Sequence, residues 1–157
     1  MITARIRTLC IATVALATVG VVAAPAHAAD ELFFPAGMAC SFPLATSSTG
    51  ASVKIHDNPT FMTTGLGGNL TLTNVSTGTT ITLPSKGVAD RYTALPGGAT
   101  RVESKGSHVI ILFPTDVPAG PTTTLYTGRV VYTVDAQGNW TLVSTSGRAR
   151  DLCAELG

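Results

Sequence analysis

Leu70 and Leu72 alternate with Thr71 and Thr73 in the run NLTLTNV, and Ile81 and Leu83 repeat the pattern in TTITLPS. A period of two places successive side chains on opposite faces of an extended chain, so each run predicts a half-buried strand. The short link Ser76-Thr77-Gly78 between them predicts a hairpin. A second hairpin is clearer still. In GRVVYTV, Val130, Tyr132 and Val134 share one face while Arg129, Val131 and Thr133 share the other. The chain then turns at Asp135-Ala136-Gln137-Gly138-Asn139 and returns through WTLVS, with Trp140 and Leu142 on one face. Between the hairpins, HVIILF from His108 to Phe113 is a continuous apolar run, as in a central strand covered on both sides. Val53 and Ile55 alternate with Lys54 and His56 before a turn at Asp57-Asn58-Pro59, and the residues around Arg101 are β-like with weaker alternation.

Breakers delimit these runs. Pro114, Pro118 and Pro121 in PTDVPAGPTTT deny ladder hydrogen bonds and predict a long surface loop from Pro114 to Thr124. Gly65-Leu66-Gly67-Gly68 and Pro96-Gly97-Gly98 read as turns or bulges, with no following Lys or helix to make them phosphate loops. Residues 29–50 lack a clean period. Phe33, Phe34, Met38, Phe42 and Leu44 need cover, yet Pro35 and Pro43 oppose a helix, so this stretch is expected to be an extended arm lying on the domain. The tail GRARDLCAEL is expected to form one or two helical turns around Cys153. About seven to nine short strands and almost no helix predict an all-β fold: a single antiparallel β-sandwich, with a small closed β-barrel as the alternative.

The first residues change the picture of what folds. Arg5 and Arg7 precede an apolar stretch reaching Ala24, and Ala26-His27-Ala28 supplies small residues at the two positions a signal peptidase reads. Residues 1–28 are therefore expected to be a cleavable signal peptide, cut between Ala28 and Ala29, leaving 29–157 as one secreted domain with no stable membrane anchor. Two cysteines remain after cleavage, Cys40 and Cys153, near opposite ends of an exported chain. Joined, they would close a loop of over 100 residues, which the chain-entropy account credits with about 4–5 kcal/mol. Two separate thiols, or a bridge between molecules, remain the alternatives.

Charge narrows the partners. Charged residues are 12% of the chain, about half the usual share, and Thr and Ser fill the polar faces instead. With no basic stripe in the sequence, nucleic-acid binding by phosphate neutralisation is not expected. Asp90-Arg91 and Arg148-x-Arg150-Asp151 read as surface or cap ion pairs, and Asp57, Asp116 and Asp135 as turn residues.

No motif announces chemistry. His56-Asp57 could orient an imidazole, but neighbours on a strand point to opposite faces and no G-x-S-x-G elbow exists. His108, at the start of the buried run, reads as a satisfied strand-end residue. Two cysteines without H-E-x-x-H or C-x-x-C make neither a zinc site nor a redox site, so no catalytic, metal or cofactor residues are assigned.

ACSFPL near the mature start, and ILFPTDVPAGPTTTLYTGRVVYTVD running on to SGRARDLCAEL, resemble a group of small exported actinobacterial proteins without an assigned function. The resemblance implies export and a Cys40–Cys153 bridge, and it brings no activity with it. The expected function is a non-catalytic extracellular module that binds a cell-envelope component or a secreted protein through loops such as Pro114 to Thr124. A carrier of a small hydrophobic ligand is the alternative, and a hydrolase ranks behind both.

Intact-mass analysis of protein collected from culture medium should give a chain beginning at Ala29 and lighter than its dithiol form by one pair of hydrogens. A chain that retains residues 1–28 would show the apolar stretch to be an anchor.

Overall fold

The computed structural model describes residues 30–49, 52–54, 60–65, 68–84 and 87–157. The expected signal peptide, the Ala28-Ala29 junction and the His56-Asp57 pair lie outside these residues. Among the described residues, ten strands and one short α-helix follow in order, with a single 3-10 turn at Pro96–Gly98 between the seventh and eighth strands: β1 (Asp30–Phe34), β2 (Leu44–Ser48), β3 (Ser52–Lys54), β4 (Thr60–Gly65), β5 (Asn69–Asn74), β6 (Thr80–Pro84), β7 (Ala89–Ala94), β8 (Thr100–Leu112), β9 (Thr122–Val134), β10 (Trp140–Asp151) and α1 (Leu152–Leu156). They form two open antiparallel sheets, ordered β1-β2-β5-β6 and β10-β9-β8-β7-β4-β3, and no closed barrel. The fold is an all-β sandwich with a C-terminal helical turn, as the periodicity predicts.

The arm expected over residues 29–50 is instead two paired strands. β2 pairs with β5 so that Leu44, Thr46 and Ser48 stand opposite Asn74, Leu72 and Leu70, and β1 adds to the other side with Phe34 opposite Leu44. Pro35 and Pro43 fall just outside the strands, where a missing N–H removes no ladder bond. These two strands raise the count to ten. The inner face of this sheet buries Leu44, Leu72 and Leu83 against Leu125 of β9 and Leu152 and Leu156 of α1. Its outer face carries the threonines, whose hydroxyls pair across the β5–β6 hairpin, Thr71 with Thr82 and Thr73 with Thr80, both at 3.3 Å.

The Cys40–Cys153 disulfide fastens the β1–β2 link to α1, with a Cα–Cα distance of 5.6 Å inside the ordinary range. Buried polar groups reinforce that junction. Thr123 Oγ1 donates to the Ala39 carbonyl at 2.9 Å, and Asn74 Nδ2 to the Leu156 carbonyl at 3.3 Å. Asp151 caps the helix by accepting from Ala154 N at 3.0 Å, whereas Arg150 pairs with Glu155 rather than with the neighbouring Asp151.

The second sheet is creased. Gly106, Gly128 and Gly147 stand side by side in register across β8, β9 and β10, with φ of +113°, +145° and +100°. A Cβ at Gly128 would lie 2.1 Å from the Ser146 carbonyl oxygen, and one at Gly147 2.1 Å from that of Thr127. Only glycine fits both this backbone conformation and this approach. The row divides β8 and β9 into proximal halves, Thr100–Lys105 and Arg129–Val134, and distal halves, Ser107–Leu112 and Thr122–Thr127. The distal half packs one face on the first sheet through Val109, Ile111 and Leu125. On the other side Ile110 and Leu112 join Val102, Val130 and Tyr132 of the proximal half in a second core, where Tyr132 stacks on Trp140 with centroids 4.3 Å apart.

Gly128→Ala should lower the unfolding free energy by more than about 2 kcal/mol in urea titration. Gly78→Ala, at φ +77° with nothing within 4 Å of the new methyl, should cost less. Equal losses at the two sites would show that the crease tolerates a side chain.

Candidate functional site

The 113–121 loop is where the crease has its largest consequence. Phe113 follows the far end of the β8–β9 ladder, whereas Trp140 stands at the near end, opposite Val134, which itself faces Thr100. An extended strand of this length would separate those ends by roughly 40 Å. Yet the carboxylate of Asp116 accepts from both backbone amides, Phe113 N at 2.6 Å and Trp140 N at 2.7 Å. Asp116 sits at a turn and bonds backbone amides, as expected, but it is buried and one of those amides lies on β10, so it clamps the folded-over sheet shut. Val117 continues the seam, with its N–H donating to Trp140 O at 2.8 Å and its carbonyl accepting from Leu142 N at 2.7 Å. The Phe113 carbonyl accepts from both Asp116 N and Gly120 N. A Cβ at Gly120 would sit 1.8 Å from the Leu112 carbonyl oxygen, so the loop closes against β8 only with glycine there.

Beside this seam lies a solvent-open cleft of about 240 Å³ lined by Val109, Ile111, Phe113, Asp116 and Trp140. Phe34 of β1 packs on Phe113 with centroids 5.8 Å apart. Val117, on the loop, has its side chain 57% exposed, and β1 leaves Leu32 and Phe33 largely in solvent.

A second constellation is polar and buried. Asp90 stands opposite Ser104 across β7 and β8, and the crease brings His108 Nδ1 to 3.7 Å from Asp90 Oδ1. Tyr92 Oη donates to Asp90 Oδ2 at 3.3 Å. Burial pushes the Tyr132 phenol well above its usual range, the charges of Tyr92 and Asp90 adding to this and the Ser104 hydroxyl, in hydrogen-bond contact, opposing it. Ser104, His108 and Asp90 are the residue types of a hydrolytic triad, but the arrangement is not one. In a working triad the serine faces the imidazole nitrogen remote from the acid. Here Ser104 contacts Tyr132, His108 Nε2 has no hydrogen-bond partner, and Ser104 and His108 are sealed from solvent. Asp90 and Arg91 are not the ion pair expected of them, because neighbours on β7 face opposite sides: Asp90 inward to this cluster, Arg91 to solvent.

Sequence reasoning singled out the Pro114 to Thr124 loop but not the Asp116 clamp or the Asp90–His108 contact. The four-residue spacing of Ser104 and His108 was a signal for the shared face, whereas Asp90 joins only through strand register. Among the described residues no cluster of His, Cys, Asp and Glu could hold a metal ion, and no helix is long and apolar enough to cross a membrane. The chain matches no protein-family profile, no functionally characterised protein and no solved structure.

Asp116→Ala should remove two charge-assisted bonds and leave two amides without a partner, a loss of about 3–5 kcal/mol from their joint contribution. Denaturant unfolding followed by Trp140 fluorescence measures it, and a loss below about 1 kcal/mol would mean that the seam holds without the clamp.

Proposed function

We propose that the protein is an exported, non-catalytic binding module that takes an apolar side chain of an envelope or secreted partner into the Trp140 cleft beside the 113–121 loop. The observation that carries this reading is the state of Val117. Its backbone is bonded on both sides to β10 while its side chain stands in solvent. A loop already ordered by folding loses little further freedom when a partner binds, and that preorganisation favours affinity. Exposed apolar side chains at a rigid, partly apolar cleft mark an interaction site rather than a soluble rim.

Cleft size favours a partner's side chain over a carried ligand. At about 240 Å³ it falls below the roughly 300–1,000 Å³ of pockets that enclose drug-sized molecules, and two open sheets do not form the closed barrel that could hold such a ligand inside. The disulfide and the lack of a membrane-crossing helix among the described residues are compatible with an extracellular location.

Val117→Asp should reduce recovery of a crosslinked partner from the cell surface or medium at least tenfold without moving the melting temperature. Unchanged recovery would remove the loop from the interface. Native and denatured masses of the exported protein should agree, and a defined native increment would assign the cleft to a small ligand instead.

A further inference from the structure

Strand register gathers charges that the sequence scatters. Arg91 stands opposite Glu103, Lys105 opposite Arg129, and Arg101 two residues from Glu103, all on the outer face of the proximal half of the second sheet. Among the described residues, four cations against one carboxylate leave this face with a net charge of +3, which no run of basic residues in the sequence announces. Glu103 is already engaged on both oxygens, by Arg101 Nε at 3.3 Å and by the Arg129 guanidinium at 3.1 Å. Arg91 and Lys105 have no ion pair among the described residues. With Ala89 and Glu103 they line a shallow depression of about 120 Å³. Lys105 and Arg129 are like charges directly across a strand pair, an arrangement that costs stability unless an anion answers it.

We infer that this face binds a linear phosphodiester polymer without bases, a polyol-phosphate chain of the cell envelope, with Arg91 and Lys105 as its principal contacts. A single exposed ion pair contributes only about 0–1 kcal/mol, so useful affinity needs repeated anionic groups that meet several cations at once. The cations occupy three neighbouring strands about 4.8 Å apart, within the span of adjoining repeats of such a chain. A phosphodiester chain carries its charge on the main chain itself, so Arg91 and Lys105 can each meet one of two adjoining phosphates across the depression. Bases would have nothing to stack on, because the described residues of this face include no aromatic side chain. The envelope source rests on the export reading, but the binding chemistry does not depend on the Trp140 cleft.

The test uses the mature chain and end-labelled poly(glycerol phosphate), followed by fluorescence anisotropy at several salt concentrations. Affinity should fall as salt rises, with a log–log slope near −2, on the order of one unit per phosphate neutralised. Arg91→Gln combined with Lys105→Gln should weaken binding at least tenfold and flatten the slope by about one to two units, with no change in melting temperature. Arg148→Gln, on β10, should leave binding unaltered. No binding by the unsubstituted protein at low salt, or equal binding by the double variant, would overturn the proposal. So would equal affinity for oligothymidylate or polyglutamate of the same charge. Partner recovery in the Val117→Asp experiment reads the other site, so failure of either proposal leaves the other standing.

Discussion

Three glycines in register govern this architecture. A β-ladder of thirteen residues cannot reverse on itself while every position carries a Cβ, because the carbonyls of the neighbouring strand approach too closely along the line of bending. At Gly128 and Gly147 the space for a Cβ is occupied by the oxygens of Ser146 and Thr127. With the row in place, the β8–β9 hairpin folds so that one face of its distal half meets the first sheet and the other meets the proximal half. Both hydrophobic clusters, the half-buried polar group around Asp90 and the seam at Trp140 follow from that single line.

Two closures then hold what the crease permits. Asp116 bridges the ends of the bent sheet by bonding amides from β10 and from the residue after β8. The Cys40–Cys153 bridge fastens the link between β1 and β2 to α1, beside the first hydrophobic cluster. The result is a scaffold with exposed surfaces held in place from two directions. An apolar cleft and a pinned loop occupy the seam, and a cationic sheet face looks out from the proximal half.

Much of this was legible in the chain. The β5–β6 and β9–β10 hairpins, the doubly covered β8 run, the C-terminal helical turn and the all-β class follow from local periodicity and turn chemistry, which require no knowledge of distant residues. The cysteine pair was legible because Cys40 and Cys153 are the two thiols left once the apolar leader is set aside. β1 and β2 were not, since prolines beside short strands look the same as prolines within an arm until a pairing partner is known. The role of Asp116 was hidden for the same reason: an aspartate between prolines in a loop carries no mark of the tryptophan amide it will reach 24 residues later.

The basic face shows where the division falls. Arg91, Arg101, Lys105 and Arg129 lie on three strands, and nothing in their spacing distinguishes them from a sparse scatter of surface charge. Register places them side by side because it aligns residues by ladder pairing rather than by sequence distance. Local alternation and turn chemistry specify the strands other than β1 and β2, the faces those strands present, and the two cysteines that pair. These depend on side-chain alternation and on backbone freedom within a few residues. Which faces meet, where the second sheet bends, and which charges, carboxylates and apolar side chains become neighbours are set by pairing between strands far apart in the chain.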